Sequence, residues 1–379
     1  VGIPIFDPID PEGRFSAVIP ELEGMNFKES DSKVMQLLKS KGLVFKHETL
    51  SHSYPFCWRT DTPLMYRTIP AWFVSVEKIR DRLVELNKQI NWVPAHVGSG
   101  RFGNWLAGAR DWAISRNRFW GTPLPIWECK GCGHRECLSS KAELESKSGQ
   151  AVEDLHRHFI DTLDWDCTQC KSAKMTRVEE VLDCWFESGS MPYGQAHYPF
   201  ENKEQFDSNY PADFIAEGLD QTRGWFYTLV VLSGALFDKP AFSNVIVNGL
   251  ILAEDGKKMS KSLKNYPSPD IVFDKFGADA LRLYLLASGA CRAEELRFTE
   301  NGVKDVVRQH LLPLWNSYNF FVTYALTEGY VPGSCATTST NTLDKWILSK
   351  SLTMAKKVSE ALSNYELYSA APPILGFIE

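Results

Sequence analysis

The chain has 379 residues, of which 44% are hydrophobic and 23% charged, and it carries a formal net charge of −6. This length allows two or three domains with a large core, and the composition is that of a globular protein. The negative charge excludes a surface that is basic throughout, although local basic patches are compatible with it. The longest mainly apolar run, residues 225–237, is too short to span a bilayer, so we expect no membrane partner.

The first third of the chain predicts helices on either side of an aromatic segment. A helix is predicted around residues 32–41, and residues 52–67, rich in aromatic and β-forming side chains, predict a strand pair. Apolar residues three to four apart over residues 76–86 predict a second helix. Residues 98–103 match the Gly-x-Gly-x-x-Gly pattern, but we reject a dinucleotide site because residues 92–96 read as a poor parallel strand with no βαβ unit around them.

Three arginines are interleaved with three aromatic residues in the segment 110–127. Arginines among aromatic rings can hold phosphates and stack on bases, whereas packed rings with surface arginines are the alternative. These residues are Arg110, Trp112, Arg116, Arg118, Phe119 and Trp120.

The cysteines predict a metal site. The chain has nine, an odd number, which favours ligation in a reducing compartment over a disulfide framework. Two Cys-x-x-Cys pairs, 34 residues apart, are formed by Cys129, Cys132, Cys167 and Cys170. Four thiolates complete a tetrahedral site with no open position, so the metal would be structural: Zn²⁺ first, with iron as the alternative. His134 and Cys137 are possible substitute ligands.

Polar side chains follow predicted strands in the middle of the chain. A strand near residue 181 runs into a Gly-containing turn, with Trp185 at its carboxyl end. A strand over residues 212–216 precedes a helix that extends to about residue 237, and a further strand covers residues 244–248. Ligands bind at the carboxyl edge of open α/β sheets, so we expect a crevice there. The polar residues grouped at this strand-to-helix junction are Glu217, Asp220 and Gln221, and capping of the helix is the alternative role for Asp220.

A lysine loop, residues 258–262, follows the last of these strands and the turn 254–256. It reads Lys258-Met259-Ser260-Lys261-Ser262. Two lysines on one loop can reach a single polyanion, and the serines and loop amides can add hydrogen bonds, which suits a triphosphate. A solvated basic turn is the alternative. Beyond the loop, a helix over residues 278–286 and helical patterns over 301–326 and 342–379, with a Ser/Thr-rich linker over 333–342, predict the start of an all-helical domain.

The lysine loop matches the signature loop of class I aminoacyl-tRNA synthetases at all five positions. Nearly the whole chain is similar to the isoleucyl-tRNA synthetase family, and most like its eukaryotic and archaeal-like branch, which some bacteria also carry. Residues 185–194, 197–202 and 218–227 resemble the isoleucyl enzymes more than the valyl and leucyl ones. The resemblance implies an α/β fold: the second half of a class I nucleotide-binding (Rossmann-like) fold, with a zinc-ribbon insertion and a C-terminal α-helical bundle segment.

The resemblance also implies an activity and its residues. Isoleucine would react with ATP, assisted by Mg²⁺, to isoleucyl-adenylate, and the acyl group would pass to tRNA(Ile). Lys258 and Lys261 would be catalytic, and Trp185 and Trp225 would form the amino-acid pocket. The ATP- and adenylate-binding residues would be Glu217, Gly218, Asp220, Gln221, Asn248, Met259, Ser260 and Ser262.

The same resemblance divides the chain. The implied segments are 1–50, tail of the editing insertion; 51–127, return into the catalytic core; 128–180, zinc ribbon; 181–265, second half of the nucleotide fold; 266–300, connecting segment; and 301–379, start of the anticodon-binding helices. No His-Ile-Gly-His-type motif or editing aspartate occurs, so we expect a piece of a longer cytoplasmic, monomeric enzyme that does not aminoacylate alone. The alternatives are a valyl or leucyl enzyme, a zinc-ribbon tRNA-binding module without catalysis, or a purely structural fragment.

Overall fold

The computed structural model describes residues 6–57, 59–261, 263–331, 333 and 339–379, and it divides into two compact units, Val1–Ala71 and Trp72–Glu379. Ser262 and half of the predicted linker 333–342, residues 334–338, lie outside the described residues. No helix in the described ranges is long and apolar enough to cross a membrane.

The elements are numbered in chain order. The α-helices α1 to α15 are Asp31–Ser40, Val76–Asn87, Gly103–Ala107, Lys141–Ser148, Arg157–Ile160, Cys184–Gly189, Met191–Gly194, Lys203–Asn209, Trp225–Phe237, Pro269–Phe276, Ala278–Leu286, Glu300–Val306, Leu312–Thr327, Thr342–Ser363 and Leu367–Ile378. The strands β1 to β13 are Phe73–Val74, Asn91–Val93, Trp112–Ala113, Ser115–Arg116, Ile126–Cys129, Arg135–Cys137, Trp165–Asp166, Lys174–Arg177, Val181–Leu182, Ala212–Gly218, Phe242–Asn248, Ile251–Leu252 and Leu296–Arg297. Short 3-10 helices span Pro20–Leu22, Leu219–Arg223 and Gly289–Arg292, and π-helical turns span Val97–Phe102 and Val307–Leu311.

The first unit contains α1, which confirms the helix predicted around residues 32–41. The strand pair predicted over residues 52–67 is wrong for the described part of that segment. A single isolated antiparallel bridge joins Phe56 to Pro63, closed by a hydrogen bond from the Cys57 amide to the Thr62 carbonyl at 2.8 Å. Proline has no N–H to donate, and prolines at 55 and 63 limit any longer ladder.

The second unit is built around a three-stranded parallel sheet in the order β10–β11–β2. Strand β10, helix α9 and strand β11 form a βαβ crossover, which confirms both predicted strands and the helix to residue 237. Residues 226–233 of α9 are all buried. Such an apolar helix needs cover on every side, and α9 packs in the core with the sheet and α2.

Strand β2 corrects one expectation. Residues 91–93, read as a poor parallel strand, pair parallel with β11. Trp92 and Val93 are buried in the sheet, and the side-chain Nδ2 of Asn91 donates to Asn244 Oδ1 at 2.9 Å. The glycine-rich residues that follow form helical turns rather than a loop. A Cβ on Gly98 would lie 2.3 Å from the Trp92 ring, so this glycine is required for close packing.

An antiparallel four-stranded sheet, in the order β6–β5–β8–β7, carries the two cysteine pairs. It has its own core, centred on Trp127, Met175 and Trp165, with Leu144 from α4 packed against them. After the lysine loop, α10 to α12 pack around Val272. Helix α11 matches the helix predicted over residues 278–286, and α13 to α15 confirm the helical patterns beyond it.

Candidate active site

Two strand ends meet at one edge of the parallel sheet. In the register of β10 and β11, Gly218 lies opposite Asn248, and Glu217 lies opposite Val247. Since the strands run parallel, their carboxyl ends share this edge, which is where open α/β sheets bind ligands. The structure thus brings together the polar turn that follows β10 and the segment that leads from β11 into the lysine loop.

The turn after β10 is ordered by its own side chains. Asp220 accepts a hydrogen bond from Gln221 Nε2 at 2.9 Å, and a Cβ on Gly218 would lie 2.6 Å from Asp220 Oδ1. Gln221 Oε1 accepts from the Trp225 amide at 2.9 Å, at the start of α9. The alternative of a cap by Asp220 is therefore wrong: Gln221 reaches the helix end, while the exposed Asp220 carboxylate stays at the sheet edge.

The two candidate pocket tryptophans lie close together. Trp185 is in the first turn of α6 and not at a strand end before a turn, because the Asp183 side chain accepts from the Trp185 amide at 3.0 Å and caps a helix there. Trp225 Nε1 donates to the Ser188 carbonyl of the same helix at 3.0 Å. A Cβ on Gly224 would lie 3.1 Å from the Trp185 ring, so the ring covers this glycine.

An ion pair with a buried carboxylate lies behind Trp185 and was missed at the level of sequence. Asp183 is 3% exposed and also accepts from Arg116 Nη2, while its amide donates to the Ile114 carbonyl at 2.7 Å. An aspartate directly before a helical segment is an N-cap signal that could have identified it.

The arginine–aromatic segment separates into two parts. In the first part, Arg116 forms an ion pair with the buried Asp183, and Trp112 packs near Phe186 with ring centroids 6.0 Å apart. Phe119 and Trp120 meet edge-on at 5.0 Å and remain 52% and 67% exposed.

The lysine loop leaves the sheet through a tight turn. The Ala253 amide donates to the Lys257 carbonyl at 2.9 Å, and Gly256 has a φ of +79°, which confirms the predicted turn. Lys258 and Lys261 are exposed, and among the described residues no carboxylate lies within 4.0 Å of either ammonium group. Both ammonium groups are therefore accessible to an anionic ligand.

The loop backbone is held from below, by contacts that the sequence did not reveal. Asn265 bridges the Lys258 carbonyl and the Ser260 amide, and Met259 packs on the apolar cluster of α10 to α12. A Cβ on Gly249 would lie 1.7 Å from the Glu294 carbonyl oxygen, so β11 passes directly against the 289–294 turn. An asparagine in a turn after the loop was the only sequence signal.

The four predicted ligand cysteines come together. Their Sγ atoms lie within 4.8 Å of one another, with Cys129–Cys170 at 3.6 Å and Cys132–Cys167 at 3.7 Å. A tetrahedron with metal–sulfur bonds of about 2.3 Å has sulfur–sulfur edges of about 3.8 Å, so the geometry fits Zn²⁺. Hydrogen bonds from the Ser172 hydroxyl and amide lower the pKa of Cys170 to about 6. A backbone hydrogen bond at His134 lowers the pKa of Cys132, but burial and the other three thiols outweigh it and raise that pKa to about 12.

The proposed substitute ligands are not part of this cluster. His134 lies 3.3 Å from Glu136, through Nε2 and Oε1, and Cys137 is exposed. The two knuckles have matching backbones: the Gly133 amide donates to the Cys129 carbonyl, and the Lys171 amide to the Cys167 carbonyl. Gly133 and Lys171 both have positive φ angles, +73° and +54°.

Comparisons with known proteins identify the family of this chain. The family described as tRNA synthetases class I (I, L, M and V) matches residues 14–297. The chain therefore belongs to the class I tRNA synthetases. Over its full length it is similar to the isoleucine–tRNA ligases of Treponema denticola, at 52% identity, and Bdellovibrio bacteriovorus, at 54%. It spans 36% of the length of each of these relatives.

Solved structures support the fold. The chain is similar to Mycobacterium tuberculosis methionyl-tRNA synthetase in complex with methionyl-adenylate, with a TM-score of 0.60 and 18% identity over 87% of this chain and 55% of that one. The relatives named here are bacterial, and the eukaryotic and archaeal-like branch stays an expectation.

Proposed function

We propose that this chain is a segment of an isoleucine–tRNA ligase, which activates isoleucine with ATP and transfers it to tRNA(Ile) in the cytoplasm. The main support is the parallel register of Gly218 and Asn248, which places the polar turn and the start of the lysine-loop segment at one sheet edge. Identity above 50% to two isoleucine–tRNA ligases over the whole chain supports the choice of amino acid.

The proposed roles follow from the chemistry of each group. Lys258 and Lys261 would stabilise charge on the triphosphate as pyrophosphate leaves, since fixed cations act where charge develops. Asp220, Glu217 and the Gly218 backbone would line the adenylate, with Gln221, Asn248, Met259, Ser260 and Ser262 as further nucleotide contacts. Mg²⁺ bound with ATP would neutralise the phosphates.

Trp185 and Trp225 would wall the isoleucine side chain. An aromatic pocket gains affinity by apolar burial. One methylene supports only about 1–3 kcal/mol of discrimination against valine, a general limit for which isoleucyl-tRNA synthetases are themselves the usual example. The Arg116–Asp183 pair supports the helix that carries Trp185.

The segment assignments form part of the proposal. Residues 128–180 would be a zinc ribbon in which four cysteines hold a structural Zn²⁺, residues 181–265 would complete the nucleotide fold, and residues 301–379 would begin the anticodon-binding helices. The closed set of four thiolates leaves no position for a substrate, so this metal would support folding and not the reaction.

The test is isoleucine-dependent ATP–pyrophosphate exchange, measured on the protein expressed from its whole reading frame, with valine and leucine for comparison. We expect exchange to be strongest with isoleucine, and the variants Lys258→Ala and Lys261→Ala to lose about 10²–10³-fold in rate, the usual cost of removing one transition-state contact. Lys304→Ala, on α12, is the matched control. No exchange with any of the three amino acids, from a folded protein, would refute the catalytic assignment.

A further inference from the structure

Asn265 connects two backbone groups of the lysine loop. Its Oδ1 accepts a hydrogen bond from the Ser260 amide at 2.9 Å, and its Nδ2 donates to the Lys258 carbonyl at 3.0 Å. One side chain thus satisfies groups on both sides of Met259. An asparagine amide offers both an acceptor and donors, so it can form this bridge, whereas a carboxylate or an alanine cannot.

Two further contacts define the same loop conformation. The Lys264 amide donates to the Ser260 carbonyl at 2.9 Å, with Lys264 in the left-handed region at a φ of +48°. At its entrance the loop forms an antiparallel bridge between Leu252 and Lys258. Hydrogen bonds therefore tie residues 258 and 260 to residues 264 and 265.

Met259 attaches this loop to the helices that follow it. Its side chain packs against a buried cluster that includes Val272, Phe298 and Val303. Met259 and Asn265 also line one cavity of about 200 Å³, together with Phe298 and Asn301. With residue 259 turned toward the helices and its neighbours tied to Asn265, the ammonium groups of Lys258 and Lys261 remain exposed.

We propose that Asn265 is a positioning residue for the lysine loop: it holds the backbone at residues 258–260 so that the two lysines are presented together to the triphosphate. The proposal rests on the proposed function, since the benefit of a fixed loop depends on a reaction in which charge develops on the phosphates. Donors that are already oriented need no reorganisation at the moment of reaction. Asn265 itself touches no reacting atom.

The bridge predicts a change in loop opening that is independent of activity. Hydrogen–deuterium exchange of the peptide covering residues 257–264 should become about tenfold faster in Asn265→Ala, because each lost hydrogen bond weakens the closed state by a factor of several. Asn265→Asp keeps the acceptor for the Ser260 amide but loses the donor to the Lys258 carbonyl. Its exchange rate should lie between those of the unaltered protein and Asn265→Ala. Asn301→Ala, which removes the same type of side chain from the lining of this cavity, should leave exchange unchanged.

The kinetic test separates positioning from general destabilisation. In the protein expressed from its whole reading frame, Asn265→Ala should raise KM for ATP and pyrophosphate by about tenfold and should also lower kcat, because displaced lysines contact the phosphates less well both before and during the reaction. KM for isoleucine should be unchanged. A fall in folded fraction would lower the rate and change neither KM. In the double variant Lys258→Ala/Asn265→Ala, the loss of rate should be smaller than the product of the two single-variant losses, because part of the effect of Asn265 acts through Lys258.

The outcomes for the two proposals are distinct. If the unaltered protein shows no isoleucine-dependent exchange, the proposed function fails, and the hydrogen-exchange result still decides whether Asn265 holds the loop. If the unaltered protein is active and Asn265→Ala changes neither loop exchange nor KM for ATP, the positioning role is overturned while the function stands. Purely additive losses in the double variant would also overturn it.

Discussion

The close backbone approach beside β11 predicts a large effect for Gly249→Ala. A Cβ at residue 249 would lie 1.7 Å from the Glu294 carbonyl oxygen and 2.4 Å from its carbonyl carbon. Both are main-chain atoms, and the Glu294 amide is itself held by the Gly289 carbonyl at 3.1 Å. No side-chain rotation can relieve the overlap, so the turn or the end of β11 must move.

The magnitude follows from two contributions. Overpacking against fixed atoms costs about 1–3 kcal/mol. Separating the segments also breaks the hydrogen bond from the Gly249 amide to the Ala290 carbonyl, now 2.7 Å, at a net cost of about 0.5–1.5 kcal/mol. We expect the free energy of unfolding to fall by about 2–4 kcal/mol. The same shift strains the hydrogen bond from the Leu296 amide to the Leu250 carbonyl, which leads into the lysine loop.

The assay is urea unfolding of the full-length protein, in which tryptophan fluorescence monitors the unit from residue 72 onward. ATP–pyrophosphate exchange is measured on the same variants. Gly194→Ala is the matched control, because a Cβ there meets nothing within 4 Å. It should change the unfolding midpoint little. If Gly249→Ala and Gly194→Ala unfold at the same urea concentration, the close approach at Glu294 is not a feature of the folded protein.

Three further predictions concern the metal, acid stability and specificity. Cys170→Ser should reduce bound zinc to well below one ion per chain and lower the melting temperature of the insertion, measured by metal analysis and calorimetry. Burial raises the pKa of Asp161, but hydrogen bonds from Arg177 and Arg157 outweigh burial and hold that pKa below its usual range. The ionised carboxylate therefore stabilises the fold at any pH above its unfolded pKa. This stabilisation is lost as the pH falls through the lower pKa of the folded state. Asp161→Asn should therefore destabilise the protein at pH 7, with a gap that narrows on acidification in pH-dependent unfolding. Gly224→Ala should displace the Trp185 ring and raise KM for isoleucine more than KM for ATP in the exchange assay.

Each of these has its own contradicting result. Cys137→Ser, which lies outside the cluster, should keep its bound zinc. If Cys137→Ser and Cys170→Ser lose zinc equally, the assignment of the four cysteines as the metal ligands is wrong. A constant stability gap for Asp161→Asn from pH 7 to pH 3 would show that the ion pair with Arg177 does not depress the carboxyl pKa. An equal rise in both KM values for Gly224→Ala would mean that Trp185 does not belong to an amino-acid pocket.

Features that depend on local spacing could be predicted from the amino-acid sequence. The two Cys-x-x-Cys pairs form one cluster of four sulfur atoms, and each pair lies in a tight turn of a few residues that presents both of its sulfurs on one side. Helices α9 and α11 follow from their apolar pattern and end at the predicted residues. The lysine loop is a run of five consecutive residues, so its two lysines could be predicted as phosphate contacts from the sequence alone.

Other contacts were apparent only in the folded structure. Strand β2 is a strand because Trp92 fills the core beside β11, although its own sequence favours no such element. Gln221, and not Asp220, reaches the start of α9, a choice set by the geometry of one 3-10 turn. The contact of Gly249 with Glu294 depends on how the chain returns past the sheet. The bridge from Asn265 joins nearby residues, but it depends on the conformation of the turn that contains them. Local periodicity carries no information about such returns, and they are what hold the lysine loop at the strand ends.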